Sequence, residues 1–235
     1  MIALAGAEDP GNRWRASAPL DETGEVELKV PGIPGYYELR YIVSSDRQIA
    51  ASQALTVTPV TATVEAPATV AAGSKVVVRW TGPANENDMI ALAGAEDPGN
   101  RWRASAPLDE TGEVELKVPG IPGDYELRYI VITDRQIAAS QALAVQPVTA
   151  TLDAPDAVAA GAKVAVRWTG PGNENDFVTL AETGTPGNQW FSFTTVSAAE
   201  GTTELKAPDE PGDYVLRYVL NSDRQIVAEI PLTVN

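Results

Sequence analysis

The chain has 235 residues, is 44% hydrophobic, and carries 32 acidic against 17 basic residues, for a formal net charge of −15. This composition predicts a folded chain, while the negative charge disfavours nucleic acid and anionic membrane surfaces as partners. Because cysteine and histidine are both absent, disulfide bonds, Cys/His zinc sites, thiol nucleophiles and Ser-His-Asp triads are excluded.

The sequence is repetitive. Residues 1–59 return as residues 89–147, an offset of 88 positions, with only five differences. These are Tyr36/Asp124, Ser44/Ile132, Ser45/Thr133, Thr56/Ala144 and Thr58/Gln146. A third copy has diverged further, as terminal repeats often do, and has one extra residue between Trp190 and Lys206. We therefore interpret the chain as an incomplete repeat 1 (residues 1–59), repeat 2 (60–147) and repeat 3 (148–235).

Repeat 2 has the pattern of seven short strands separated by turns. The predicted strands are Thr61–Ala66, Ser74–Trp80, Met89–Ala93, Trp102–Ala106, Glu113–Val118, Tyr125–Val131 and Ile137–Val145. Apolar residues alternate with polar ones along the sixth strand, which assigns Glu126 and Arg128 to the solvent face. No apolar pattern keeps a helical period for long, so helix is expected to be minor or absent. No segment approaches the roughly 18 apolar residues of a membrane span, and we expect no membrane insertion.

Seven alternating strands in a repeat of this length predict an all-β fold of tandem immunoglobulin-like β-sandwiches. An up-and-down barrel is the alternative. Tyr125 follows Pro-Gly-Asp at the start of a strand, and this position predicts a tyrosine corner, in which the phenol bonds back to nearby backbone. Since there is no cysteine pair, Trp80 or Trp102 is expected to fill the core.

The whole pattern can be followed in repeat 3. It reads Trp-Thr-Gly-Pro-Gly-Asn-Glu-Asn-Asp-Phe-Val-Thr-Leu over residues 168–180 and Pro-Gly-Asp-Tyr-Val-Leu-Arg-Tyr-Val-Leu over residues 211–220. This pattern resembles the immunoglobulin-like modules of secreted bacterial proteins, which often stand in tandem or behind von Willebrand A-type domains. The resemblance covers all three repeats, but its motifs are turns and strand residues that specify no ligand. It implies a non-enzymatic role outside the cytoplasm, at the cell surface, in the extracellular space or in the periplasm.

Repeat 1 has no counterpart of residues 60–88, so it lacks the first two predicted strands. Its five remaining strands are expected to leave an apolar face and a sheet edge uncovered. Two explanations stay open. The chain is a fragment of a longer array, or a neighbouring chain supplies the missing strands, which is a known mode of fibre assembly.

Two acidic loops and one turn are candidate calcium sites, because calcium takes six to eight oxygen ligands and the chain is strongly acidic. The candidate ligands are Asn85, Glu86, Asp88, Glu96, Asp97, Glu174 and Asp176. The alternative is that these Asn and Asp side chains cap ordinary turns. No other cofactor is expected.

Three tryptophans, Trp14, Trp102 and Trp190, each follow Pro-Gly-Asn. An exposed tryptophan in such a loop would stack on a sugar ring, which makes a glycan a candidate ligand. The alternative is that each ring packs in the sandwich or over its rim.

The Asp-Arg-Gln triplets at 46–48, 134–136 and 223–225 predict turns, with a surface ion pair or a contact with the next domain as alternatives. Acidic pairs such as Asp109-Glu110 could suggest acid–base hydrolysis, but they lie in repeated turns, and we expect no enzyme.

The linkers between repeats are short and begin with proline, so we expect the repeats to be semi-rigidly aligned. The expected function is the stalk or fibre of a bacterial extracellular or cell-surface protein, with neighbouring repeats or copies of the chain as partners. The alternatives are a self-assembling filament subunit and an adhesion module that binds carbohydrate or calcium.

Overall fold

A computed structural model describes residues 1–235 as twenty β-strands joined by turns, with no α-helix. Repeat 1 contains β1 (Ile2–Gly6), β2 (Ala16–Ala18), β3 (Gly35–Val43) and β4 (Gln48–Val57). Repeat 2 contains β5 (Thr63–Glu65), β6 (Thr69–Ala71), β7 (Lys75–Thr81), β8 (Met89–Gly94), β9 (Ala104–Pro107), β10 (Glu113–Lys117), β11 (Gly123–Val131) and β12 (Gln136–Gln146). Repeat 3 contains β13 (Thr151–Asp153), β14 (Ala157–Val158), β15 (Lys163–Thr169), β16 (Asp176–Glu182), β17 (Ser192–Val196), β18 (Glu200–Lys206), β19 (Gly212–Val219) and β20 (Ile226–Val234). No helix long and apolar enough to cross a membrane is present.

Repeats 2 and 3 are each built from two separate sheets. In repeat 2 a three-stranded sheet, β10-β7-β5, packs on a five-stranded sheet, β6-β12-β11-β8-β9, and repeat 3 has the corresponding order. Neighbouring strands are antiparallel except for the short β6 and β14, which run parallel to β12 and β20. Two sheets with this strand order define an immunoglobulin-like sandwich, so the predicted fold is confirmed and the barrel alternative is wrong.

Repeat 2 has eight strands where the sequence pattern predicts seven. The additional strand is β6, which is only three residues long and therefore shows no alternation. The chain leaves the small sheet after β5, bends at Pro67, which has no N–H to donate, and joins the edge of the large sheet as β6. The predicted strand Thr61–Ala66 thus corresponds to β5, and β6 is an added strand in the other sheet.

The core of repeat 2 follows the predicted alternation. Along β7 the side chains of Val76, Val78 and Trp80 are buried, while those between them point to solvent. The Trp80 ring meets the Tyr129 ring edge-on, with 5.9 Å between centroids. Trp80 therefore fills the core, whereas Trp102 lies on the other face of the large sheet, against Met89 and Ile130.

The predicted tyrosine corner is confirmed in all three repeats. The Tyr125 hydroxyl donates to the Ile121 carbonyl at 2.9 Å. Tyr37 and Tyr214 make the same bond to the carbonyls four residues upstream, at 2.8 and 3.0 Å.

The outer face of β11 differs from its prediction. Arg128 is buried, because the loop after β8 folds back over the sheet. The Arg128 guanidinium donates from Nε to Glu126 at 2.6 Å and from Nη1 and Nη2 to the carbonyls of Pro98 and Asp97 at 3.2 and 2.7 Å. Arg40 makes the corresponding bonds in repeat 1. A charged residue that the pattern assigns to solvent therefore anchors this loop.

Repeat 1 consists of one four-stranded sheet, β2-β1-β3-β4, and not of the five strands expected. The missing one is the segment 25–30, which is not a strand. Its counterpart β10 pairs only with β7, and repeat 1 has no counterpart of β7. The expected apolar face is uncovered, since Val30, Tyr41 and Val43 are exposed while their counterparts in repeat 2 are buried.

Candidate functional site: the junctions between repeats

The Asp-Arg-Gln triplets lie in tight turns that join the last two strands of each repeat. Arg47, Arg135 and Arg224 have φ values of 57°, 53° and 53°, a left-handed conformation that a tight hairpin turn requires. The predicted turn is confirmed. Each of the last two triplets also reaches another repeat, but this is the preceding repeat rather than the next one.

The contact is a hydrogen bond from a glycine amide to the aspartate of the turn. Gly32 N–H donates to Asp134 Oδ2 at 2.6 Å across the junction between repeats 1 and 2. Gly120 N–H donates to Asp223 Oδ2 at 2.8 Å across the junction between repeats 2 and 3. The same pair of residues therefore joins successive repeats at both junctions.

Glycine is needed at the donor position because the following repeat approaches its backbone closely. A Cβ atom added to Gly120 would collide with the carbonyl oxygen of Ser222. A Cβ atom added to Gly32 would lie 3.1 Å from Val131 Cγ1. Any side chain at Gly120 would thus push repeat 3 away from repeat 2.

The junction between repeats 2 and 3 has a second set of contacts around the bend after β6. Asn173 Nδ2 donates to the Ala72 carbonyl at 3.2 Å. Gly73 has a φ of 76°, and a Cβ atom there would lie 2.8 Å from Asn173 Nδ2 and 3.4 Å from Leu220 Cδ1. Ala72 and Leu220 are buried and belong to one hydrophobic cluster that contains the cores of both repeats.

Ion pairs of Lys75 lie at the edge of this junction. Lys75 Nζ lies 2.9 Å from Glu115 of its own repeat and 3.3 Å from Glu174 of the next. Its hydrogen bond to Glu115 and, to a smaller extent, its hydrogen bond to Glu174 raise the pKa of Lys75. Because these side chains are exposed, salt screens the pairs that Lys75 makes.

Two of the predicted calcium ligands, Asp88 just before β8 and Asp176 at the first position of β16, are buried and accept hydrogen bonds from the protein. Asp88 accepts from the amides of Asn85 and Ile132 at 3.0 and 3.1 Å. Asp176 accepts from the Asn221 amide at 2.9 Å and from the Tyr218 hydroxyl at 3.2 Å. Burial raises the pKa of Asp176, against the lowering effect of these bonds. Both aspartates thus fasten the start of a strand to a turn.

The remaining predicted ligands are spread over separate places. Asn85 and Glu86 are exposed in the loop before β8, and Glu96 is exposed in the loop after it. Asp97 accepts from the Gly94 amide at 3.0 Å, and Glu174 pairs with Lys75. No three acidic residues form a cluster suited to a metal ion. Calcium binding stays a prediction.

The three tryptophans of the Pro-Gly-Asn loops are half-buried on the outer face of the large sheet. In repeat 3, Trp190 packs against Phe177 and Phe193, with ring centroids 5.2 and 5.3 Å apart. Phe193 is 51% exposed, so repeat 3 has an aromatic surface. In repeat 2 the corresponding tryptophan, Trp102, packs on the aliphatic side chains of Met89 and Ile130. Glycan binding at Trp14, Trp102 or Trp190 stays a prediction.

The sequence does not reveal the donor side of each junction. Gly32 and Gly120 are more than 100 residues from their aspartate partners, and no local pattern connects them. The signal that could identify them is the alignment of the repeats, since the third copy has Asp209 at this position.

The strand order and the junctions place the chain in the class of tandem immunoglobulin-like proteins. No model of a protein family matches the sequence, and no curated protein matches it.

Among solved structures, the chain is similar to the BSP domain of a biofilm-associated protein (15% identity, TM-score 0.31, 74% of this chain and 29% of that one). It is also similar to the Yersinia pseudotuberculosis adhesin InvE (15% identity, TM-score 0.29, 75% and 58%) and to the D0-D1 domain of intimin (15% identity, TM-score 0.24, 74% and 98%). The chain thus spans less than two thirds of the length of the first two of these structures. Likeness at this level identifies no ligand or activity, and an association with von Willebrand A-type domains stays a prediction.

Proposed function

We propose that the protein is a non-enzymatic structural array that forms the stalk or fibre of a bacterial extracellular or cell-surface protein. The observation that carries this proposal is the repeated glycine–aspartate bond, Gly32 to Asp134 and Gly120 to Asp223. A bond used at both junctions fixes successive repeats by the same contact. Nearest-neighbour contacts of this kind set the stability of repeat arrays, and a stalk needs such contacts to keep its length.

The absence of other chemistry supports the same proposal. The chain has no histidine or cysteine. The paired carboxylates considered for hydrolysis lie in turns, where Asp109 accepts from the amide of Thr111 at 2.9 Å. The two aspartates with the most buried carboxyl groups, Asp88 and Asp176, are held by the hydrogen bonds described above. These acidic groups are used to build turns.

Small-angle X-ray scattering of the full chain tests the proposal. We expect an elongated particle of fixed length, and we expect Asp134→Ala and Asp223→Ala each to increase its flexibility. Asp46→Ala is the matched control, because Asp46 lies in the same turn but bonds only to the amide of Gln48 in its own repeat. A wild-type chain that scatters as freely jointed repeats would contradict the stalk.

A second candidate is a filament in which a strand from a neighbouring copy covers the open face of repeat 1. The observation in its favour is the exposure of Val30, Tyr41 and Val43, whose counterparts are buried in repeat 2. We expect light scattering to show mass that grows with concentration, and residues 1–59 to become protected from protease. A monomer with a protease-sensitive repeat 1 at all concentrations would contradict this candidate.

A further inference from the structure

The far end of repeat 2 is a surface on which repeat 3 docks. We define this junction surface by Ala72, Gly73, Lys75 and Gly120, which all contact repeat 3. Repeat 3 has a corresponding surface at its own far end, formed by Ala160, Gly161, Lys163 and Asp209. Three of the four residues are the same, and the glycine that donates to the next repeat is replaced by an aspartate.

Asp209 occupies the place that a docked repeat would fill. A Cβ atom on Gly161 would lie 2.7 Å from Asp209 Oδ1, and a Cβ atom on Gly73 would lie 2.8 Å from Asn173 Nδ2. The two glycines have similar φ values, 76° at Gly73 and 70° at Gly161. The Asp209 carboxylate thus packs against the Gly161 bend of its own repeat. The side-chain amide of Asn173, from repeat 3, packs against the Gly73 bend of repeat 2 in the same way.

The charged side chains at the far end of repeat 3 also disfavour docking of a further repeat. Lys75 in repeat 2 pairs with its own Glu115 and with Glu174 of the next repeat. In repeat 3, Lys163 pairs with its own Glu204 at 2.8 Å. Lys206 lies 3.4 Å from Asp209. The cations at this end are therefore paired within the repeat, and an incoming turn aspartate would meet the Asp209 carboxylate, a like charge that disfavours the contact.

We propose that Asp209 is an end cap, which closes the junction surface of repeat 3 against a further repeat of this kind in the same chain or in a second copy. This inference rests on the proposed function, since it assigns an end to the array described there. The closure depends on residues inside repeat 3, so it would hold whichever segment is joined to it.

The first test moves the cap to the internal junction with Gly120→Asp in the full chain. Because the chain has no cysteine, spin labels can be attached at Glu110→Cys and Asn188→Cys, two exposed positions in repeats 2 and 3. We expect the wild-type chain to give one narrow distance peak and Gly120→Asp to lose it. Asp209→Gly is the matched control and should keep the narrow peak.

The outcomes separate the cap from the stalk. A narrow peak in both the wild type and Gly120→Asp would overturn the cap and leave the stalk standing. A broad distribution in the wild type would overturn the rigid junction and with it the stalk. Hydrogen exchange of the β11 amides checks that Gly120→Asp leaves repeat 2 folded.

A second test does not depend on the folding of that variant. Asp209→Gly opens the junction surface of repeat 3, so the backbone amide at position 209 can donate a hydrogen bond to the Asp46 carboxylate in the turn of a second copy. In sedimentation velocity runs we expect Asp209→Gly to associate roughly tenfold more strongly than the wild type, the ratio expected for one charge-assisted hydrogen bond. Adding Asp46→Ala should reverse the gain. Identical sedimentation of Asp209→Gly and the wild type would overturn the cap.

Discussion

Residues 1–59 and 89–147 differ at five positions, yet they are packed differently. Tyr129 is 0% exposed and Tyr41 is 41% exposed, and the corresponding values for Val118 and Val30 are 1% and 46%. The difference comes from β7, which covers the inner face of the large sheet in repeat 2 and has no counterpart in repeat 1. Nearly the same sequence therefore has a closed core in one place and an open face in the other.

Other features are the same in both repeats. The tyrosine corner forms at Tyr37 and at Tyr125, and the buried arginine holds its loop at Arg40 and at Arg128. These features use residues on the outer face of the sheet or within one turn. The comparison thus separates contacts that need the second sheet from contacts that a single sheet makes by itself.

The largest expected effect tests the inner face. Tyr129→Ala removes a buried ring that packs on Trp80, together with a hydroxyl that accepts a hydrogen bond from the Ala84 amide at 2.9 Å. We expect it to lower the free energy of unfolding of repeat 2 by about 3–5 kcal/mol. Tyr41→Ala, the matched change in repeat 1, should cost less than about 1 kcal/mol because that ring is already partly in water.

Amide hydrogen exchange in the full chain measures both effects, with β11 reporting on repeat 2 and β3 on repeat 1. Equal losses of protection in the two variants would mean that the open face of repeat 1 is covered in solution. That result would favour the filament candidate over an uncovered repeat.

Repeats 1 and 2 also show how far the sequence predicts the fold. The alternation along Tyr125–Val131 identifies the buried side correctly, because inward residues of a strand repeat every second position. The same pattern fails for Arg128, since a loop more than 25 residues earlier in the chain folds over it. It also fails for the segment 25–30, which has a strand pattern but no partner strand in repeat 1.

The candidate site is predictable only in part. The Asp-Arg-Gln turns are visible in the sequence because turn residues act locally. Their partners are not, because a glycine amide has no side chain to mark it and Gly120 lies 103 positions from Asp223. Acidic residues such as Asp88 and Asp176 suggest cation ligands because carboxylates bind cations. The hydrogen bonds that both accept from a turn more than 40 residues away are not visible in the sequence.

A smaller effect is expected at the buried arginines, and it should be equal in the two repeats. Arg128→Lys and Arg40→Lys each remove the planar group that bonds a glutamate and two loop carbonyls. We expect each to cost its repeat about 1.5–3 kcal/mol, with faster proteolysis of the loops at 95–101 and 7–13. Faster cleavage in repeat 2 alone would show that the outer face also depends on the second sheet.

The smallest effect concerns the acidic turns, which are the most local feature the two repeats share. A hydrogen bond from the Thr111 hydroxyl, followed by one from its amide, lowers the pKa of Asp109, and Thr23 lowers the pKa of Asp21 in the same way. A carboxyl whose pKa is lower in the folded chain stabilises the fold above its ordinary pKa. This contribution is lost as the pH falls through the lowered value.

Thr111→Val and Thr23→Val keep the amide donor and remove the hydroxyl, so both pKa values should rise towards the ordinary range by similar amounts. Titration of the side-chain carboxyl carbons by NMR measures them in the full chain. The strand that follows this turn is present in repeat 2 and absent in repeat 1. An ordinary pKa at Asp21 beside a lowered one at Asp109 would therefore mean that the turn needs β10 paired to β7, and that even this contact depends on the second sheet.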